Sequence, residues 1–558
     1  MKLRDIITLV VLAGAFAASL VINSRPEVVS REHYAEQFSA EKALDHIREI
    51  AQVPHPIGSV EHRRVLNYLT EKIEKMGLDP QIQSSYMPNG RLNRYDSIHN
   101  IVTRIAGTQS SKAIILIAHY DTTPNTPGAS DDGSGVAILL ESMNFFKEAR
   151  LKNDLIFLLS DAEEYRSMGA KAFVQSHELM KSIGLAINLD TRGSSGLSFA
   201  YEISDQNGKL ISEFAKSVPW PYAASYMFQI YSILPNYTDF TQFKNAGVPG
   251  FNVGFIDDFK YYHTQQDIAD NLDLRSVQHQ GSYAFALLQH FGNLDLSNLK
   301  APNHIFFNLL GSVFIHYPQW LNTIWIAVIF FLYFLVLTYS RKNFQLTYRG
   351  LLKGLVLQLL SLVLTIGLSY LVYTLITLMH PAYQATIRGG TSWVELFYSL
   401  SMLLVVVNYF FIQHFLANRF DFHELSTGAV NLWLLLAVTS FLLLDSISYL
   451  FIFPLLFSLI GNYLSVQTLG GRVKISSHYI LLAYLLFPIF LFVPMTWSIF
   501  VAVGSNLSIV SMLLLALVLY LLFPVLYPFL TNFRNAKPYL LGFLFFIVFV
   551  SALFFKIS

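Results

Sequence analysis

Cysteine is absent from all 558 residues. Disulfides and thiolate metal sites are therefore excluded, and any metal site must be built from His, Asp and Glu. Charge is scarce as well: Lys, Arg, Asp and Glu make up 13% of the chain, against 53% hydrophobic residues. Soluble domains carry about 25% charged residues, so part of this chain is expected to lie in a bilayer. The scarcity is local. Residues 1–300 hold 27 Lys+Arg and 33 Asp+Glu, whereas residues 301–558 hold 11 and 4. The net charge of +1 thus hides a mildly acidic first half and a sparsely basic second half. Neither half has the dense basic patch that nucleic acid would require, and no 20–50-residue repeat is evident.

The apolar segments set the organisation. Residues 1–24, "MKLRDIITLVVLAGAFAASLVINS", place basic residues before a run of apolar and small ones. The run is long for a signal peptide, so a retained transmembrane anchor is the favoured reading, with a cleaved leader as the competitor. Residues 30–300 read as one globular domain and 301–318 as a linker. Residues 319–558 read as an all-α polytopic domain, with apolar runs near 320–340, 355–379, 394–416, 429–445, 447–465, 478–497, 507–529 and 538–556. If the N-terminus is inside, alternation places nine of the eleven basic residues of the second half on the cytoplasmic side. Only Arg388 and Lys556 fall opposite. The positive-inside rule then favours about nine helices, one N-terminal and eight C-terminal, with the globular domain outside the cytosol.

Within 30–300, the segments "AIILIAHYD", "DLIFLLSDAEE", "GLAINLDTRG" and "VPGFNVGF" are short apolar runs ending in polar or Gly-rich turns. Such runs suit strands buried on both faces, and helical patterns separate them, so an α/β/α domain with a mostly parallel central sheet is expected. Ligands of open sheets of this kind bind beyond the carboxyl ends of the strands. His119, Asp161 and Asp190 fall at such ends.

Metal-ligand residue types recur there: His119 and Asp121 in "HYD", Asp131 and Asp132 in "SDDGSG", Glu163 and Glu164 in "DAEEY", Asp190 in "NLD", and His263 in "YYHTQQD". Taken singly, each is ordinary. A histidine at a strand end is commonly structural, "DD" before "GSG" is a helix cap, and "EE" suits a helix dipole. Their recurrence at successive strand ends is what ordinary accounts leave unexplained. Two histidines with several carboxylates suit zinc, and paired metals clamping a water form a common hydrolytic arrangement. Spacing alone does not separate Asp131 from Asp132, or Glu163 from Glu164.

The order "HYD", "DDGSG", "EEY", "NLD", "YYHT" resembles the di-zinc aminopeptidase family of metallopeptidases, the bacterial leucyl aminopeptidase-like zinc exopeptidases. "VPHPIGSVEHRRVLNYLTEKIEKMGL" and "TDFTQFKNAGVPGFNVGF" are similar to further family segments, so the resemblance covers about residues 40–290. A peptidase domain followed by apolar spans resembles the membrane branch, the vacuolar membrane proteases and endoplasmic reticulum metallopeptidases. The resemblance implies two Zn2+ ions per chain. His119 and Asp190 would hold one, Glu164 and His263 the other, and Asp131 would bridge them. It also implies Glu163 as general base, Asp121 as the residue orienting His119, and Tyr262 as a donor to the developing oxyanion, with Tyr261 as its alternative.

The function so implied is a membrane-bound zinc exopeptidase, an aminopeptidase acting on short peptides outside the cytosol. The expected partners are peptide substrates and the lipid bilayer, without nucleic acid, and the oligomeric state is unknown. Two alternatives compete. One is a single-zinc acyltransferase like the glutaminyl cyclases, and the other is a non-enzymatic receptor or chaperone on a peptidase fold. Asp257 and Asp258 are weak candidates for binding a substrate amine, and a solvated loop is their simpler account. The C-terminal helices hold few polar residues, chiefly Asn408, His414 and Asp445, and none supports transport.

Overall fold

The computed structural model describes residues 3–532, apart from 22–24, 34–36, 91, 110–111, 234–236, 312, 380–393, 470–476 and 504–507. The chain divides into two compact units, residues 24–318 and residues 1–23 with 319–558.

The first unit is built on a seven-stranded sheet of order β1-β2-β4-β3-β5-β7-β6. Its strands are β1 (Gln81–Asn89), β2 (Arg94–Ile105), β3 (Ala113–His119), β4 (Asp154–Ser160), β5 (Ile183–Leu189), β6 (Phe199–Ile203) and β7 (Gly250–Gly254). The four central strands β4, β3, β5 and β7 are parallel, and antiparallel strands close both edges. Every residue of β3, β4, β5 and β7 is buried. Alternation explains how an unbroken apolar run satisfies two layers. Ile114, Leu116 and Ala118 enter a core with helices α2 (Ala40–Ile50), α3 (Val60–Lys75), α4 (Gly133–Phe146) and the later helix Leu274–Phe291. Ala113, Ile115 and Ile117 enter the opposite core with α5 (Met168–Ser176) and the short helix Asp239–Asn245. The α3 stripe follows from its sequence, since buried His62, Val65, Leu69 and Ile73 recur at helical spacing behind the Ser59 cap.

Residues 301–318 correct the linker expectation, because they form a β-hairpin, β8 (His304–Leu309) with β9 (Val313–Pro318). The turn passes through Leu310 and Gly311, both at positive φ, and Ile305, Phe306 and Phe307 are buried. The hairpin is tied to the same unit, with Phe306 N–H donating to Ser225 Oγ at 2.9 Å and His304 N–H to Asn207 Oδ1 at 3.0 Å.

The second unit is helical. Among the described residues, five helices are long and apolar enough to cross a membrane: Leu321–Phe344, Tyr348–Ile376, Tyr398–Ala417, Phe422–Leu443 and Ser477–Val501. A sixth span arises only if Ser508–Leu521 and Phe523–Thr531 count as one, and these are bent by 79°. The expected 447–465 span is a shorter apolar helix, Tyr449–Ser465. The N-terminal helix α1 (Leu3–Val21) carries Arg4 and Asp5 in its first turn and is not among the five. The described residues thus supply five or six spans, and the expected count of nine is not confirmed. The 538–556 span lies outside the described residues, as do Arg388, Arg472, Lys474, Arg534, Lys537 and Lys556. Asp445 starts a short turn between two helices and accepts from Asn322 Nδ2 at 2.7 Å and Gln319 Nε2 at 2.9 Å. Several polar residues inside this unit pair with one another. Gln413 Nε2 donates to Gln358 Oε1 at 2.8 Å and to Ser361 Oγ at 2.9 Å, the kind of bond that joins apolar helices.

Candidate metal centre

Four parallel strands end on one edge of the sheet, and each delivers residues to a common point. His119 is the last residue of β3, Glu163 and Glu164 follow β4, Asp190 follows β5, and His263 lies in the segment after β7. Asp131 arrives from the β3–α4 loop, directly before α4.

Ligand atoms from His119, Asp131 and Asp190 all lie within 4.8 Å of one another, and so do those from Asp131, Glu164 and His263. Asp131 belongs to both groups. Its Oδ1 is 3.1 Å from His119 Nε2, and its Oδ2 is 3.1 Å from His263 Nε2. His263 Nε2 is also 2.9 Å from Glu164 Oε1. Yet His263 Nε2 is buried and makes no hydrogen bond, so short distances coexist with unsuitable hydrogen-bond angles. An imidazole nitrogen close to two carboxylates yet bonded to neither fits a ligand directed at an ion between them. The donor set is imidazole and carboxylate throughout, which suits zinc.

Neighbours along the chain take opposite tasks. Asp132 turns away from the imidazoles and caps α4, accepting from Gly135 N–H at 3.2 Å and His119 N–H at 3.3 Å. The peptide bond between Asp131 and Asp132 is cis. Glu164 points to His263, whereas Glu163 is half-buried and accepts from Ser167 Oγ at 3.3 Å. The Glu163–Tyr165 turn is bracketed by Ala162, Arg166 and Ser167, all non-glycine residues at positive φ. His263 shares that conformation, with φ 57°. Such backbone costs about 1–3 kcal/mol per residue and persists where surrounding contacts over-determine it.

Asp121 holds more than the imidazole. His119 Nδ1 is 3.0 Å from the Asp121 backbone carbonyl and 3.5 Å from its carboxylate. That carboxylate accepts from Glu163 N–H at 2.9 Å and Glu164 N–H at 3.3 Å, so it mainly fixes the glutamate turn. Asp121 is thus a positioning residue. The Tyr262 ring stacks on His263, with centroids 3.8 Å apart and planes at 18°, and Phe259 lies 5.2 Å away on Tyr262. This packing braces the imidazole. Asp161 is directed elsewhere, bonding His62 Nε2 at 2.8 Å and His99 N–H at 2.7 Å. Asp258 pairs with Lys260 and accepts from Ser195 Oγ at 2.7 Å.

Asp267 has no assigned role in the sequence reading. Its carboxylate accepts from Ser130 N–H at 2.8 Å, Ser130 Oγ at 2.6 Å and Asp131 N–H at 3.2 Å, clamping the loop that presents Asp131. The available signal was an acid four residues after His263 in "YYHTQQD". Thr191 Oγ1 adds a bond to the Ser130 carbonyl at 2.7 Å.

The electrostatics follow from packing acids together. Burial, then the charges of Asp190, Asp239 and Glu164, raises the Glu163 carboxyl well above its ordinary range against the opposing pull of His119. Burial and Asp131 push Asp190 up to about 7. Burial also disfavours Asp131 as an anion, but the close imidazoles of His119 and His263 outweigh it and hold its carboxyl below the ordinary range. Four buried or half-buried carboxylates around two imidazoles call for added positive charge, which two divalent ions would supply.

Fold and site together define an α/β/α domain with a candidate two-metal centre at the carboxyl ends of its parallel strands. Residues 100–288 match the model of Peptidase family M28. The chain is 27% identical over 314 residues to endoplasmic reticulum metallopeptidase 1 of Homo sapiens, covering 52% of this chain and 35% of that protein. It is 31% identical over 273 residues to a vacuolar membrane protease of Candida albicans, covering 48% and 32%. The chain thus spans about a third of the length of these curated relatives. Among solved structures it is similar to an aminopeptidase from Aneurinibacillus sp. strain AM-1, with 14% identity, a TM-score of 0.40, and coverage of 49% and 99%. It is also similar to Porphyromonas gingivalis glutaminyl cyclase, with 20% identity, a TM-score of 0.38, and coverage of 46% and 99%.

Proposed function

We propose that this chain is a membrane-bound, zinc-dependent exopeptidase, an aminopeptidase that hydrolyses short peptides outside the cytosol. The observation that carries the reading is the double engagement of Asp131, whose two oxygens each face a different imidazole at 3.1 Å. A single metal would need only one of the two triads.

In this reading His119 and Asp190 hold one Zn2+, Glu164 and His263 hold the other, and Asp131 bridges. When bound, the pair lowers the pKa of a shared water and polarises the scissile carbonyl. The protein's own residues do the rest. Asp131 is kept anionic by its two histidines and fixed by Asp267, and Asp121 anchors the turn carrying both glutamates. Glu163 is the one glutamate of that pair not aimed at a histidine, and burial raises its proton affinity toward the range of a general base. It takes the proton of the attacking water and delivers it to the leaving amine. Tyr262 braces His263, and donation from its hydroxyl to the developing oxyanion belongs to the same proposal.

Two measurements test the reading together. Zinc analysis of the purified protein should find about two ions per chain, as a two-metal centre requires; about one would favour the cyclase-like alternative. A peptide panel should show cleavage of free N-termini and not of blocked ones. Glu163→Gln should lower turnover by about two to four orders of magnitude with zinc content retained. Substantial activity in that variant would remove Glu163 from its role.

A further inference from the structure

Among the described residues, Arg192 stands beside this centre without a partner. It is half-buried, yet no carboxylate oxygen among the described residues lies within 4.0 Å of its guanidinium. Its side chain makes no hydrogen bond and stacks on no ring there; only its backbone N–H is engaged, donating to the Phe255 carbonyl at 3.0 Å. A guanidinium offers five donors in a fixed planar fork, and leaving them all unused in a largely enclosed place is costly unless a ligand arrives.

The backbone decides which way this group faces. Asp190 N–H donates to the Val253 carbonyl and Arg192 N–H to the Phe255 carbonyl, so the ladder between β5 and β7 continues past the end of β5. Alternation along an extended chain then places Asp190 and Arg192 on one side and Thr191 on the other. Thr191 does turn away, to the Ser130 carbonyl. Arg192 is therefore on the same side as a proposed zinc ligand. The groups that bear on its charge are Tyr262, Tyr231, Asp190 and Tyr201. Among these, Tyr231 Oη is buried, with Thr238 as its polar neighbour among the described residues. Tyr201 Oη is 3.4 Å from the Asp190 carbonyl, and the Tyr201 and Tyr231 rings lie 5.1 Å apart. Arg192 and Tyr231 thus lie on the Asp190 side of the sheet edge, among aromatic rings next to the candidate metals. Both can donate to a carboxylate.

We propose that Arg192, assisted by Tyr231, binds a carboxylate of the peptide substrate and makes this enzyme selective for peptides that carry one near the scissile bond. The inference rests on the peptidase reading above. A carboxylate can come from the free C-terminus of a dipeptide or from an acidic side chain beside the cleaved bond, and the recognition chemistry is shared.

Substrate pairs separate the sources. Alanyl-alanine against alanyl-alanine amide reports the C-terminal carboxylate, and glutamyl-alanine amide against glutaminyl-alanine amide reports the side chain. The zinc-loaded full chain should favour the acid in at least one pair by about 10- to 100-fold in kcat/KM, as charge-assisted hydrogen bonds imply. Arg192→Ala should bring that ratio close to one, mainly through KM, and Arg192→Lys should restore part of it because a point charge replaces the fork. No preference in either pair, or a preference retained in Arg192→Ala, would overturn the proposal. Calorimetric binding of the same pairs to zinc-loaded Glu163→Gln reads the same ratio without turnover. Loss of hydrolysis on all peptides would then refute the peptidase reading alone, while the binding ratios still decide the role of Arg192.

Discussion

Replacing Asp267 tests whether the centre is held from behind as the structure indicates. Asp267→Ala removes an acceptor from three donors, Ser130 N–H, Ser130 Oγ and Asp131 N–H, and the surrounding loop is buried. Each buried donor left unpaired costs about 1–3 kcal/mol, so the alanine variant should lose roughly 3–5 kcal/mol once partial relaxation is allowed. Asp267→Asn keeps one acceptor oxygen. If that oxygen stays on the two Ser130 donors, only the 3.2 Å bond to Asp131 N–H is lost, at about 1–3 kcal/mol. The loop carries Asp131 to the point between the two histidines, so part of this loss should appear as weaker metal binding. Supporting residues behind metal ligands are typically worth about 10–100-fold in affinity. Competition with a chromogenic chelator measures zinc affinity, and thermal unfolding in detergent measures stability. The expected order is wild type, then Asn, then Ala in both assays, with hydrolysis by the asparagine variant largely restored at saturating zinc. Wild-type zinc affinity in Asp267→Ala would refute the clamp.

Two further perturbations follow from packing and ionisation. His279 is buried, with Ser198 N–H donating to its Nδ1 at 3.1 Å and its Nε2 3.2 Å from the Trp220 carbonyl. Burial is the main cause that lowers its pKa to about 4. Because the folded value lies below the unfolded 6.5, stability should be full above about pH 6.5 and fall as pH drops toward 4. The total loss is about 3 kcal/mol, and His279→Gln, whose amide reproduces one acceptor and one donor, should flatten that part of the pH–Tm curve; an unchanged curve would rule out His279 as its source. Gly254 ends β7 where a Cβ would sit 1.9 Å from the Asp190 carbonyl oxygen. Gly254→Ala should therefore destabilise by about 1–3 kcal/mol and weaken zinc binding by displacing Asp190, whereas a stability loss with unchanged zinc affinity would show that Asp190 does not move.

Much of the architecture is legible from local pattern. The predominantly apolar runs of β3, β4, β5 and β7, interrupted only by Asn188 and Asn252 inside the last two, mark strands covered on both faces, and the collapse of charge after residue 300 marks the helical unit. The placing of donors at strand ends is legible too, because a parallel sheet directs all its carboxyl termini to one edge. Local pattern fails where short segments are close to balance. "HIFFNL" and "VFIHYP" are too short to announce a hairpin, and only their pairing with each other and with Asn207 and Ser225 makes one. Span counting fails similarly at Leu521–Phe523, where hydropathy is continuous but the helix axis turns by 79°.

By itself, then, the sequence determined which residue types are available and in what order they meet the sheet edge: no thiol, two histidines, and acids in adjacent pairs. Only the tertiary structure decided which member of each pair faces inward. Asp131 and Asp132 are chemically identical, and one peptide unit turns the first to the histidines and the second to the α4 backbone. The same holds for Asp267, which reaches Ser130 across 137 residues of chain, and for Arg192, whose lack of partners among the described residues is visible only once its neighbours are in place. Residue type is local information, whereas direction and partnership depend on contacts between segments far apart in sequence.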